Sequence, residues 1–157
     1  MALPVLWLLL VDQGKLSLSK SSLRGIIAGF LTAIPVGGVI FATYYFAKDH
    51  LIDPDEARQL IEELGISSPA HFLIFASAMS LFNSLMEEYV WRWFVFSKFK
   101  ILVGVWPAIV LSAFFFTVHH TIILWNFGSL CLVFLGSMGL FFVGIIWAWL
   151  YNNYNSI

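Results

Sequence analysis

Four long apolar stretches, separated by short polar segments, dominate the pattern of hydrophobic and polar positions along the chain. They cover approximately residues 23–47, 70–96, 107–125 and 129–151. A transmembrane helix needs about 20 predominantly apolar residues, so each stretch is long enough to cross a bilayer. The pattern therefore predicts an all-α fold, a polytopic transmembrane helical bundle with about four spans.

The longest polar segment, residues 48–68, contains the signals of one short helix. Asp53 is suited to the N-cap, Pro54 to the first helical position and Glu56 to the acidic position that follows. Apolar residues then recur at helical spacing until Gly65, which is a typical helix end. We expect a short amphipathic helix on the membrane surface.

The N-terminal residues do not form a complete span. Residues 2–11 are apolar but too short to cross a bilayer, and a serine-rich polar loop follows them. We therefore assign residues 1–22 to a partial helix and a cytoplasmic loop. Lysine and arginine are concentrated in residues 12–24 and 97–100, and the positive-inside rule predicts that both of these segments are cytoplasmic.

The composition confines the protein to a membrane. Hydrophobic residues make up 61% of the chain, charged residues 11%, and the mean hydropathy is +0.90, whereas soluble domains carry about 25% charged residues. The lipid bilayer is thus the first expected partner. A net charge of −1 without a basic stripe gives no indication of nucleic-acid binding.

Charged residues inside the second apolar stretch are the main candidates for chemistry. Ionised groups at membrane depth cost several kcal/mol unless they are paired or face a cavity. In a helix, Glu88 and Arg92 are i,i+4 neighbours and can neutralise each other. Glu87 points about 100° away, with Asn83 one turn before it. This leaves Glu87 as a desolvated carboxylate, a typical general base.

The third stretch contributes two adjacent histidines, His119 and His120. Lys98 and Lys100 mark a predicted turn that runs to Gly104, and the midpoint between Glu87 and His120 falls inside it, between Val103 and Gly104. Because equidistant positions of a helical hairpin lie at similar depth, we expect Glu87 and His120 to face each other.

These residues alone leave several functions open. A polar cluster could simply lock the helices together, and acids with histidines also form proton relays in transporters. A metal site is a further alternative, but adjacent histidines on a helix diverge by about 100° and no HExxH motif is present. We therefore expect no cofactor and retain zinc as the less favoured alternative.

The spacing of the charged motifs resembles a known family. Glu87-Glu88-x-x-x-Arg92 followed by Phe116-x-x-x-His120 resembles the first two motifs of the CPBP (CAAX protease and bacteriocin-processing, or Abi) membrane proteins. This family includes the type II CAAX prenyl proteases. Its register uses His120 rather than His119. The resemblance covers the chain from about residue 70, and we assign residues 23–157 to one CPBP-like membrane domain with its motifs in 70–125.

The resemblance implies an intramembrane endopeptidase, of either the glutamate type or the metal-dependent type. We favour the glutamate type, because the residues present do not supply three metal ligands. Glu87 would activate the water, and His120 would stabilise the oxyanion or position that water. The implied supporting residues are Glu88, Arg92, His119, Phe116 and Asn83. A peptide or protein substrate is expected, prenylated in one branch of the family, and the bacterial cytoplasmic membrane is the expected location.

One part of the family pattern is missing. A third motif, with a further histidine, would follow the fourth span, whereas here the chain ends at Ile157. This predicts a fragment without the C-terminal catalytic helix, so that the enzymatic activity is expected of the intact parent protein. The alternative is a non-catalytic immunity or scaffold protein of the same fold.

Overall fold

The computed structural model describes residues 22–51, 59, 61–63, 65–66, 68–125 and 129–154. Within these residues the chain forms helices and no β-strand. The elements are α1 (Leu23–Leu51), α2 (Pro69–Glu87), a π-helical segment (Glu88–Phe96), α3 (Ser97–Val103), α4 (Val105–Leu124) and α5 (Leu130–Tyr154). The all-α prediction is confirmed.

Four helical stretches in the described part of the chain are long and apolar enough to cross a membrane. They are Leu23–Phe46, Pro69–Val103, Val105–Leu124 and Leu130–Tyr154. Many large apolar side chains on them are exposed in the isolated chain. In water such surfaces would be unfavourable, whereas lipid solvates them. The protein is therefore a polytopic membrane protein.

The start of α2 has the predicted capping residues. Ser68 is the N-cap, its side chain accepts a hydrogen bond from the His71 backbone N–H, and Pro69 occupies the first helical position. Gly65 has a φ of +70°, and the bonds from Gly65 N to Glu62 O and from Ile66 N to Ile61 O form a helix-ending Schellman motif. Gly65 is the predicted end of the short amphipathic surface helix. The predicted beginning of that helix, at Asp53, lies outside the described residues.

The turn between the second and third spans is shorter than the sequence suggests. The sequence predicts a turn from Lys98 to Gly104, but residues 97–103 form helix α3. Nothing between Ser97 and Val103 interrupts a helix, since proline and glycine are absent there. The chain reverses only at Gly104, whose φ of +84° is a conformation that glycine adopts readily.

Helices α4 and α5 pack closely through small residues. A Cβ atom added at Gly144 of α5 would lie 3.2 Å from both Cα and Cβ of Ala113, and 3.3 Å from Cδ1 of Phe116. Ala108, Ala113 and Ala148 are buried at this contact. Small residues let helix backbones approach in lipid, where van der Waals packing replaces the hydrophobic effect.

Gly25, Gly29, Ala33 and Gly37 recur at four-residue spacing along α1, a stripe of small residues that predicts close packing of helix backbones in lipid. Gly25 is buried, but Cβ atoms added at Gly29 and Gly37 would meet no atom of the described residues within 4 Å. Gly25, Gly29 and Ala33 instead border a cavity of about 370 Å³ between α1 and α5. Within the part of the chain that the structure describes, no backbone packs closely against Gly29 or Gly37.

The beginning of α1 and helix α3 lie at one end of the bundle. Lys100 Nζ of α3 donates a hydrogen bond to Asn152 Oδ1 near the end of α5. The same end of α5, at Tyr151 and Tyr154, shares a cavity with the beginning of α1 at Gly25. Residues 12–21 of the other basic segment lie outside the described residues, so the orientation of the two basic segments toward the cytoplasm stays a prediction.

Enlarging Gly144 should separate α4 from α5. We expect Gly144→Val to destabilise the fold by about 1–3 kcal/mol, because the added atoms overlap Ala113. Gly139→Val is the matched control, since its Cβ position is open. Unfolding of the two variants in mixed micelles measures the difference, and equal stability of both would contradict this packing.

Candidate functional site

The central contact of the site joins the second and third spans. Glu87, the last residue of α2, lies with its Oε1 atom 3.1 Å from Nε2 of His120 on α4. The contact that equal spacing from the turn predicts is therefore present. The Glu87 side chain is 16% exposed and the His120 side chain is 20% exposed. Within the apolar bundle, each is the other's main ionisable neighbour.

The orientation of the imidazole is fixed from its other side. Nδ1 of His120 lies 2.9 Å from the backbone carbonyl oxygen of Phe116. A carbonyl only accepts hydrogen bonds, so Nδ1 must carry a proton. The bond between Nε2 and Glu87 then needs one further proton, on the imidazole or on the carboxyl group. The Glu87–His120 pair thus shares a single mobile proton.

Asn83 supplies a second donor to the same carboxylate oxygen. Its Nδ2 atom lies 2.6 Å from Glu87 Oε1, one helical turn away. Both hydrogen bonds to Glu87 therefore end on Oε1. They orient the carboxyl group in the way that neighbouring donors orient a catalytic base.

Glu88 points to a different partner from Glu87. Its Oε1 atom lies 3.3 Å from Nε of Arg92, as an i,i+4 ion pair. Arg92 is 2% exposed at its side chain and Glu88 is 30% exposed, and Glu88 borders the cavity between α1 and α5. The buried cation is neutralised by a carboxylate that keeps access to that cavity.

The ion pair lies on a π-helical segment, which the sequence pattern did not indicate. The segment begins at Glu88, directly after Glu87, and a π-helix is defined by backbone hydrogen bonds between residues five apart. Hydroxyl groups support it: Ser112 Oγ of α4 donates to Trp91 O at 3.1 Å, and Ser97 Oγ donates to Arg92 O at 3.3 Å. π-helical turns are frequent at functional sites.

Aromatic rings enclose the charged groups. The Arg92 guanidinium carbon lies 4.9 Å from the centroid of the Phe116 ring and 5.1 Å from that of Trp147. His119 contacts the rings of Trp91 and His120, at 5.8 Å and 5.2 Å between centroids. All the predicted site residues are therefore gathered in one region, although His119 is more exposed than His120.

Trp147 was missed as part of this region. Its position near the end of a span predicts a place in an interfacial belt, and that position did not indicate the contact of its ring with Arg92. One signal was available in the sequence. Trp147 follows Gly144 by three residues and precedes Tyr151 by four, so it lies on the face of α5 that packs inward.

A metal site would need several ligands that converge. Among the described residues, no group of three or more His, Cys, Asp or Glu side chains is arranged to hold a metal ion. Glu87 and His120 are close enough to share an ion, but among the described residues neither His119 nor another His, Cys, Asp or Glu side chain completes a group of three that could hold one. The chemistry available from the described side chains is thus that of a carboxylate and an imidazole.

These features define an integral membrane protein in which a carboxylate–imidazole pair joins two spans. Residues 69–157 match the family model of the Rce1-like type II CAAX prenyl endopeptidases. Because this match covers more than half of the chain, the protein belongs to that family. No curated protein and no solved structure matches the chain. The family assignment confirms the resemblance to the CPBP membrane proteases and implies a protease in the intact protein.

Removing one member of the Glu88–Arg92 pair should be more harmful than removing both. Glu88→Gln leaves the buried guanidinium uncompensated, and we expect a loss of about 3 kcal/mol of stability. The double variant Glu88→Gln, Arg92→Met should be more stable than Glu88→Gln alone. Unfolding in mixed micelles compares them, with the exposed Glu63→Gln as control. A double variant less stable than Glu88→Gln would contradict the assignment of Glu88 as the counter-ion.

Proposed function

We propose that this chain carries part of the catalytic machinery of an intramembrane endopeptidase, with Glu87 as the general base and His120 as its partner. The observation that supports this most strongly is the 3.1 Å contact between Glu87 Oε1 and His120 Nε2, with both side chains largely withdrawn from solvent. A carboxyl group releases a proton readily and an imidazole accepts one. The two groups held together in an apolar region are a typical acid–base arrangement.

The proposed reaction begins with a water molecule at Glu87. Because both hydrogen bonds to Glu87 end on Oε1, we assign the water to Oε2. The water oxygen attacks the peptide carbonyl carbon while its proton passes to Oε2. The carboxyl group then returns this proton to the leaving amine nitrogen as the C–N bond breaks. The products are a free carboxyl group and a free amine, and Glu87 is restored as a carboxylate.

His120 is assigned to the charge that develops on the carbonyl oxygen. When the shared proton lies on Nε2, the imidazole is cationic beside Glu87, and a cation there stabilises an oxyanion in a region of low dielectric. The bond from Nδ1 to Phe116 O keeps the ring in place as the proton moves. For His120 to position the attacking water instead, Nε2 would have to exchange Glu87 for that water, because Nδ1 is bonded to Phe116 O.

The substrate is assigned from the family and from the location of the site. The family comprises CAAX prenyl endopeptidases, and the pair lies between spans that lipid surrounds. We therefore propose a peptide or protein substrate that reaches the site from the membrane. We also propose that this substrate is prenylated and that the protein resides in the bacterial cytoplasmic membrane.

Neutralising the base should abolish hydrolysis. We expect Glu87→Gln and His120→Ala each to reduce the cleavage rate at least 100-fold, since general acid–base groups contribute about 10²–10⁴-fold. Cleavage of a membrane-bound peptide in proteoliposomes that contain the intact protein measures this. Glu62→Gln is the control, because Glu62 is exposed outside the spans. Unchanged function in both site variants would favour the non-catalytic immunity or scaffold role.

The glutamate mechanism also predicts resistance to metal removal. Cleavage should stay within about twofold after dialysis against a strong zinc chelator, because the base is a side chain and not a metal-bound water. The comparison uses the same proteoliposomes before and after dialysis. Loss of activity that added zinc restores would contradict the mechanism and support a metal centre that uses Glu87 and His120 as ligands.

A further inference from the structure

The buried guanidinium of Arg92 has fewer hydrogen bonds than its burial requires. Its Nε and Nη2 atoms are inaccessible to solvent and have no hydrogen-bond partner in the described part of the chain. The 3.3 Å separation from Glu88 Oε1 is an ion pair without hydrogen-bond geometry. Buried charges normally need both a counter-charge and hydrogen bonds. Something other than hydrogen bonding must therefore contribute to holding this cation.

Two aromatic rings lie where that contribution can arise. The guanidinium carbon is within about 6 Å of the centroids of Phe116 and Trp147, the range in which a cation is attracted to a ring face. Tryptophan gives the strongest attraction of the aromatic side chains. Phe116 belongs to the motif that precedes His120, whereas Trp147 lies on α5, outside both charged motifs.

Trp147 also separates Arg92 from the open side of the bundle. Trp147 and Glu88 both border the cavity between α1 and α5, whereas Arg92 is 1% exposed. The indole thus covers the cation on the side where lipid or water could enter. With the ring in place, the guanidinium keeps its position relative to the π-helical segment that follows Glu87.

We propose that Trp147 is a positioning residue of the site. Its ring face holds the Arg92 guanidinium in place of missing hydrogen bonds, and through the π-helical segment this contact fixes the direction in which Glu87 points. The consequence for peptide hydrolysis rests on the proposed function. The contact itself does not, and it is tested separately.

The test is a double-mutant cycle on the stability of the protein in mixed micelles. Trp147 is replaced by Phe, which keeps a ring face, and by Leu, which is apolar without one. Both changes are made in the native chain and in a neutral background, Glu88→Gln, Arg92→Met, because removal of Arg92 alone would leave Glu88 unpaired. Trp149→Leu, on an exposed tryptophan of the same helix, is the control.

In the native chain we expect Trp147→Leu to raise the unfolding equilibrium constant roughly tenfold or more over Trp147→Phe, the range of a desolvated cation–π contact. In the neutral background this difference should disappear. An equal difference in both backgrounds would overturn the proposal, since it would show that Trp147 serves packing alone. If Trp147→Leu fails to fold in the native chain but folds in the neutral background, the proposal is supported. If it fails to fold in both backgrounds, the proposal is overturned. If the neutral background itself does not fold, equal effects of Leu and Phe in the native chain overturn it.

The cleavage assay then separates this inference from the proposed function. We expect Trp147→Leu to lower kcat more than tenfold with KM within about twofold, and Trp147→Phe to restore most of kcat. A protein without cleavage activity but with the ring-dependent coupling would contradict the proposed function and leave the contact established. An active protein without the coupling would contradict only the role of Trp147.

Discussion

Two adjacent carboxylates in an apolar bundle must find different partners, and this constraint organises the site. Glu88 neutralises Arg92, and Glu87 shares a proton with His120. If both acids faced a single cation, one of the two carboxylates would remain a buried charge without compensation. Such a charge is costly at membrane depth. The division of the two carboxylates falls where α2 ends and the π-helical segment begins, between Glu87 and Glu88.

The surrounding structure keeps these two pairs in place. Close approach of α4 and α5 at Gly144 brings Phe116 towards Trp147, and both rings lie against Arg92. The Phe116 carbonyl orients His120, and Ser112 of the same helix bonds to the π-helical segment. One face of α4 therefore contacts both the ion pair and the acid–imidazole pair, so that packing and chemistry depend on the same few residues.

Much of this arrangement could be predicted from the sequence, because the informative signals are local. Hydrophobic stretches gave the four spans, i,i+4 spacing gave the Glu88–Arg92 pair, and equal distance from a hairpin turn gave the contact of Glu87 with His120. The π-helical segment could not be predicted in this way. It depends on hydroxyl donors such as Ser112, which is 21 residues from its acceptor. The contact of Trp147 with Arg92 could not be predicted for a similar reason, since the two residues are distant in the chain.

The central claim is that Glu87 and His120 share one proton while Nδ1 of His120 stays protonated. Nitrogen NMR of histidine-labelled protein in bilayers tests it most directly, with the His120 signals assigned by a His120→Asn variant. The account predicts a protonated Nδ1 in both the native protein and the Glu87→Gln variant. It also predicts that the Nε2 signal of Glu87→Gln is shifted from its position in the native protein. A deprotonated Nδ1 in the native protein, or an Nε2 signal that Glu87→Gln does not change, would contradict it.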